Sequence, residues 1–229
     1  MAKKTYETWC HTYGVTVRHY NFDNGRFADN KFRQAVSESP HQTISYCGVN
    51  AHHQNGVAEK RIRDLQELSC TALIHAQQRW PNSITANIWL FSLKMANDVH
   101  QSTPSLKGGI SPLDKFSQVA VRPKISSFRH FGCPVYVLDN ALAAGKSFPK
   151  WEARSRVGIY LGPSPIHARS VALILSLTIG LLSPQFHVVF DDHFQTVRNN
   201  VPGSLIFKSE WQRLAGFILD TVLKSSNRR

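Results

Sequence analysis

Residues 14–27 read GVTVRHYNFDNGRF, and the reading of this stretch turns on Asp23. Val15-Thr16-Val17-Arg18-His19-Tyr20 alternates apolar and polar side chains with the period of a strand, expected over 15–22. Asn24-Gly25 is a turn pair. A carboxylate between the two has two readings. It is either ordinary turn chemistry, since Asp caps turns and tolerates unusual backbone angles, or one half of a metal site whose partner lies elsewhere.

Working outward, residues 5–13 read as the tail of a helix closed by Gly14. NKFRQAVSES (30–39) has helical spacing and stops at Pro40, and HQTISYCG (41–48) reads as a short strand. VNAHHQNG (49–56) is a polar loop, and a long helix is predicted from Val57. In it Ala58, Ile62, Leu65, Ser69 and Ala72 alternate at spacings of four and three, which predicts a core-facing stripe.

Glu59 falls on the first turn of that helix, away from the stripe, with Arg63 and Gln66 on its own face. Here too a plain reading stands beside the chemical one. A helix macrodipole favours Glu in its first turn, and Glu59 with Arg63 is an ordinary i,i+4 pair. Alternatively Glu59 is the second carboxylate of a divalent-metal site, because magnesium prefers carboxylate oxygens.

The spacing joins the two acids, with thirty-five residues between Asp23 and Glu59. D-N-G at the first, N-G-x-A-E at the second, and FGCPVYVLDN, GIYLGPSP and SPQFHVVFDD further on together resemble the integrase region of copia-type retrotransposon polyproteins. The resemblance reaches to about residue 197. It implies an α/β chain: a partial ribonuclease H-like catalytic core over 1–118 and a small all-β SH3-like barrel over 126–196; beyond the resemblance, the amphipathic stretch WQRLAGFILDTVL reads as one helix in a tail over 197–229. The implied activity is DNA integration by metal-dependent polynucleotidyl transfer. Asp23 and Glu59 would be the catalytic metal ligands, for magnesium or manganese. Asn55 and Gly56 would shape the loop over the site, and Lys60 and Arg63 would approach DNA phosphate. A solvated helix face is the milder reading of those two cations.

Members of that family use three carboxylates, and the first precedes the other two. Only one acid, Glu7, precedes Asp23 here, and it sits on the predicted first helix. Asp29, Asp64 and the Asp191-Asp192 pair are poorly placed to replace the missing ligand. The expectation is therefore a truncated, catalytically impaired integrase region whose VTVRHYNF strand presents an unpaired edge. The alternative is a non-catalytic nucleic-acid-binding or interaction remnant of a transposable element.

Composition bears on partners. The 229 residues carry a net charge of +12, which favours a polyanion. Residues 121–160 concentrate it: Arg122, Lys124, Arg129, Lys146, Lys150, Arg154 and Arg156 face only Asp139 and Glu152. Lys150 and Arg154 are the cations expected to contact a DNA backbone. Trp151 between them reads either as a base-stacking side chain or as a packing lid. The partners expected are element ends and target DNA, with self-association of the chain.

The four cysteines form no CxxC pair, which argues against a zinc knuckle and a disulfide framework. MAKKTYETWC lacks the apolar core of a signal peptide, and VALILSLTIGLL (171–182) is too short to span a bilayer. It reads instead as strand, turn at Gly180, and strand. An intracellular chain of the cytoplasm or nucleus, not secreted, is expected.

Overall fold

The computed structural model describes residues 2–198 apart from 23–29, 49–55, 106–107, 120–124, 140–141, 143–144, 148, 152 and 169. These residues group into two compact units, Met1–Gln66 with His100–Arg122, and Glu67–Val99 with Pro123–Arg229. The expected division into 1–118 and 126–196 follows sequence order, whereas this grouping assigns the end of one helix and the start of another to the second unit.

In the first unit, helix α1 (Ala2–Thr12) is closed as its sequence predicts. Gly14 adopts φ +71°, its N–H donates to the His11 carbonyl at 3.0 Å, and that of Val15 donates to Cys10 at 3.1 Å. A left-handed residue at this position costs glycine least. Cys10 is buried, and Trp9 stacks on Phe116, ring centroids 5.4 Å apart. Phe116 belongs to a short helix, α5 (Pro112–Ser117), whose N-cap Ser111 accepts from the Asp114 N–H.

Strand β1 (His19–Phe22) is shorter than the expected 15–22. Its pairing with β2 (Thr43–Tyr46) is parallel, Tyr20 opposite Ile44, and begins only where the Thr43 N–H donates to the Arg18 carbonyl at 2.9 Å. Helix α2 (Asn30–Ser37) lies between them in sequence and buries Val36. On one side of the pair Tyr20 and Phe22 both meet the edge of Phe32, at 5.6 and 5.3 Å. Opposite them, alternation places His19, whose ring nitrogens contact the Thr43 and Ser45 hydroxyls at 2.7 and 2.9 Å.

Helix α3 (Gly56–Arg79) is the long helix the sequence predicts, and the predicted stripe meets a core only in its later part, where Ser69 is buried and Ala72 packs on the core. Ala58 is exposed and Ile62 is 58% exposed, while burial begins only at Ser69 and is completed at Ala76. The spacing was right and the first two turns meet solvent rather than a core. After a 3₁₀ turn at Ala86–Ile88 comes α4 (Trp89–Ser102), with Met95 and Ala96 buried and Trp89 exposed.

In the second unit, Ala76, Trp80, Ile84, Ile88 and Met95 join one core with the inner side chains of a five-stranded sheet. Its strands are β3 (Pro134–Leu138), β4 (Ser155–Pro163), β5 (Ala172–Ser176), β6 (Leu182–Gln185) and β7 (Val188–Phe190). All pairs are antiparallel, in the order β6-β5-β4-β3-β7. Gly132 (φ +76°) precedes β3, where an added Cβ would stand 2.7 Å from the Ala76 Cβ.

PQFHVVFD (184–191), whose apolar and β-branched residues give it the propensity of one strand, is split between two: it breaks at Phe186-His187, and its halves pair at opposite edges of the sheet. That break has a geometric consequence. Gln185 and Val188 are three residues apart, a reach of at most about 11 Å. In a flat sheet their strands would lie four spacings, about 19 Å, apart. The sheet is therefore curled, its two edges drawn together at this connection. A short helix, α6 (Gln195–Arg198), follows. Among the described residues no helix is long and apolar enough to cross a membrane.

Candidate nucleic-acid interface

The first turns of α3 present the helix-borne part of the expected site. Gly56, expected in a loop, is the first helical residue, and Glu59, Lys60 and Arg63 are all exposed. Glu59 stands where the helix N-terminus favours a negative charge. Asp23 follows the last residue of β1 in sequence, but Asp23 and Asn55 lie outside the described residues, as do Asp29, Arg122, Lys124 and residues 199–229. Among the described residues no three His, Cys, Asp or Glu side chains converge to hold a metal ion. Glu59 alone represents the expected carboxylate set there.

Arg61, beside these cations, is engaged: its guanidinium donates to the His100 ring. Burial, reinforced by the Arg61 charge, lowers the His100 pKa against the opposing pull of Asp64. The imidazole is thereby kept as a neutral acceptor. Glu7, the acid upstream of Asp23, has a structural post. Burial opposes its charge, yet hydrogen bonds from Gln42, Tyr20 and Lys3 outweigh burial and hold its carboxyl below the usual range. The distances are 2.7 Å from Gln42, 2.8 Å from Tyr20 and 3.0 Å from the Lys3 ammonium.

In the second unit the basic stretch divides by role. Arg129 is spent on packing: its guanidinium lies 3.0 Å from the Asp192 carboxylate and 5.2 Å from the centroid of Phe190. Arg156 is half-buried in β4, opposite Val137. Lys146, Lys150 and Arg154 are exposed on the excursion between β3 and β4. The neck of that excursion is clamped, the Asp139 N–H donating to the Arg154 carbonyl at 2.9 Å just beyond the Leu138–Ser155 pair. Trp151 is 98% exposed, so it is no packing lid. An indole kept in water between cations suits a flat, anionic partner, by stacking on a base and neutralising phosphates.

Asp191 and Asp192 serve the fold. Asp191 accepts from the Gln195 and Thr196 N–H groups at 3.0 and 2.7 Å and from the Thr196 hydroxyl. Beside them lies a group the sequence gives no sign of. His75, Arg79, His130 and His193 come from three separated segments and line one cleft. Compared with protein-family models and with curated proteins, the sequence matches neither.

Proposed function

We propose that this chain is an integrase region of copia-retrotransposon type, and that its working activity is sequence-independent DNA binding through the loop between β3 and β4. The observation that carries this is the exposed set Lys146, Lys150, Trp151 and Arg154 on a clamped loop. In the other unit Lys60 and Arg63, exposed beside Glu59, are further cations that DNA phosphate could meet. The sheet order β6-β5-β4-β3-β7, with outer strands joined by two residues, supports an SH3-like barrel. The parallel β1–β2 pair, with α2 between its strands in sequence and α3 after it, supports a partial ribonuclease H-like core.

Within this reading Asp23 and Glu59 are the ancestral ligands of magnesium or manganese. A bound cation would stabilise charge on a phosphodiester under in-line attack. Glu7, the one acid that precedes Asp23 in this sequence, is held by Tyr20, Gln42 and Lys3, and the reading therefore puts binding first and strand transfer second. DNA ends and target DNA are the partners, with self-association bringing copies together on them.

The test is fluorescence anisotropy of the full chain with a short duplex over a salt series, for wild type and Lys150→Gln/Arg154→Gln. Each phosphate contact contributes about 0.9 to the log–log salt slope, so the double variant should lose affinity and about 2 units of slope. An unchanged slope sinks the assignment of the loop. A parallel nicking assay with magnesium, comparing wild type with Asp23→Asn and Glu59→Gln, decides whether the acids still act. If nicking is present in the wild type and lost in both variants, the chain is an enzyme in its own right.

A further inference from the structure

We propose that the cleft lined by His75, Arg79, His130 and His193 is a phosphate-binding site that loads as the pH falls below neutral. The three imidazoles are neighbours in space, with ring centroids 6.0 Å apart for His75 and His130 and 6.3 Å for His130 and His193. His75 is anchored edge-on, at 5.8 Å, to Phe194, which is almost wholly buried. His130 and His193 are exposed at the mouth. The cleft has a volume of about 510 Å³ and a polar lining completed by Gln195 and Asp192.

The acid that lines this space, Asp192, and its neighbour Asp191 are already committed. Asp192 accepts from Arg129 at 3.0 Å and from the backbone N–H of His130 at 3.4 Å, and Asp191 caps Gln195 and Thr196. Burial, as the largest cause, pushes the Cys133 thiol and the Tyr160 phenol up, so both stay neutral. The fixed charges of Arg79 and Arg129 therefore balance those of Asp191 and Asp192, and the imidazoles decide the sign of the cleft. Imidazole takes up its proton in the range where the other side chains are silent. At the 6.0 and 6.3 Å separations of the two adjacent pairs, positive charge on neighbouring rings is repulsive, and an oxyanion among them would relieve that repulsion while accepting their N–H groups. Linkage then requires that anion binding take up protons at the rings, and that it tighten as pH falls wherever this uptake exceeds the free anion's own. The oxyanion has two sources, a phosphodiester of nucleic acid or free phosphate. The site does not involve Lys150 or Arg154, so it stands or falls separately from the loop surface.

The experiment is a titration of the full chain with inorganic phosphate, followed by the histidine ring resonances, at about pH 5.5 and about pH 7.5. The expected result is that the His75, His130 and His193 resonances move together, with affinity at least roughly tenfold tighter at the lower pH. His130→Gln/His193→Gln, at exposed positions, should abolish that difference, and Arg79→Gln should weaken binding at both pH values. A second arm replaces phosphate with a short duplex. The same histidine-dependent pH response there identifies the phosphodiester as the source, and its absence identifies free phosphate. Resonances that phosphate leaves unmoved, or a pH difference that survives in the double variant, overturn the proposal.

Discussion

The Tyr20 hydroxyl donates to Oε1 of Glu7 across 2.8 Å, tying the first helix to the first strand. The same oxygen accepts from Gln42 at 2.7 Å, just before β2, so one carboxylate gathers three segments. Glu7→Gln keeps the shape and removes the charge. Hydrogen bonds to charged groups contribute about 1.5–3 kcal/mol each, and a loss of that order is expected in urea denaturation near neutral pH. Because the folded carboxyl titrates below its unfolded value, its contribution is present above the ordinary glutamate range. It is lost as pH falls through the lower, folded value. The variant should therefore show a flatter acid limb than the wild type; an identical limb would show that Glu7 stabilises nothing.

The Arg61–His100 pair predicts a second pH effect, centred higher. The His100 pKa is lowered in the folded protein, so below the free-imidazole range the unfolded chain binds more protons. Stability from this pair is complete above that range and declines as pH falls through it. Denaturation midpoints of wild type and His100→Asn, compared on either side of about pH 6.5, should converge on the acid side. A constant gap between them would remove His100 as the cause.

Gly132 should not tolerate a side chain. Its φ of +76° is strained for any L residue, and the new methyl would stand 2.7 Å from Ala76 and 3.3 Å from Ile84. Gly132→Ala is expected to cost about 1–3 kcal/mol, read as a lower Tm with the DNA salt slope unchanged. A Tm equal to wild type would mean that the Ala76 side of the core yields freely.

Trp151→Ala separates stacking from charge. The side chain is 98% exposed, so its removal should leave Tm unchanged. Stacking contributes about 1–3 kcal/mol per base, and single-stranded binding should weaken by that amount while the salt slope stays the same. Loss of Tm instead would show that the indole packs on the protein after all.

Much of the chain was legible because the signals are local. The Gly14 cap, the α2 spacing ending before Pro40, the start of α3 and the strand–turn–strand of 171–182 each depend on residues within a few positions of one another. Helix α5 was legible too, had Ser111-Pro112-Leu113-Asp114 been read as an N-cap followed by proline and an acid in the first turn. The neck of the β3–β4 loop, by contrast, needed the register of two strands.

What only the tertiary structure decided was the use made of each local feature. Periodicity set the face of α3 but not where along that face a core would meet it, so Ile62 is in water and Ala76 is not. Charge counting found Arg129 but could not see Asp192, sixty-three positions away, which takes it out of the patch. PQFHVVFD has the propensity of one strand, and it breaks because its halves pair at opposite edges of a curled sheet. The three histidines share no spacing, because segments brought together by a core carry no period in sequence. Sequence alone therefore determined the elements and their caps, which are short-range. Pairing, burial and the meeting of charges are long-range, and only the folded chain fixed them.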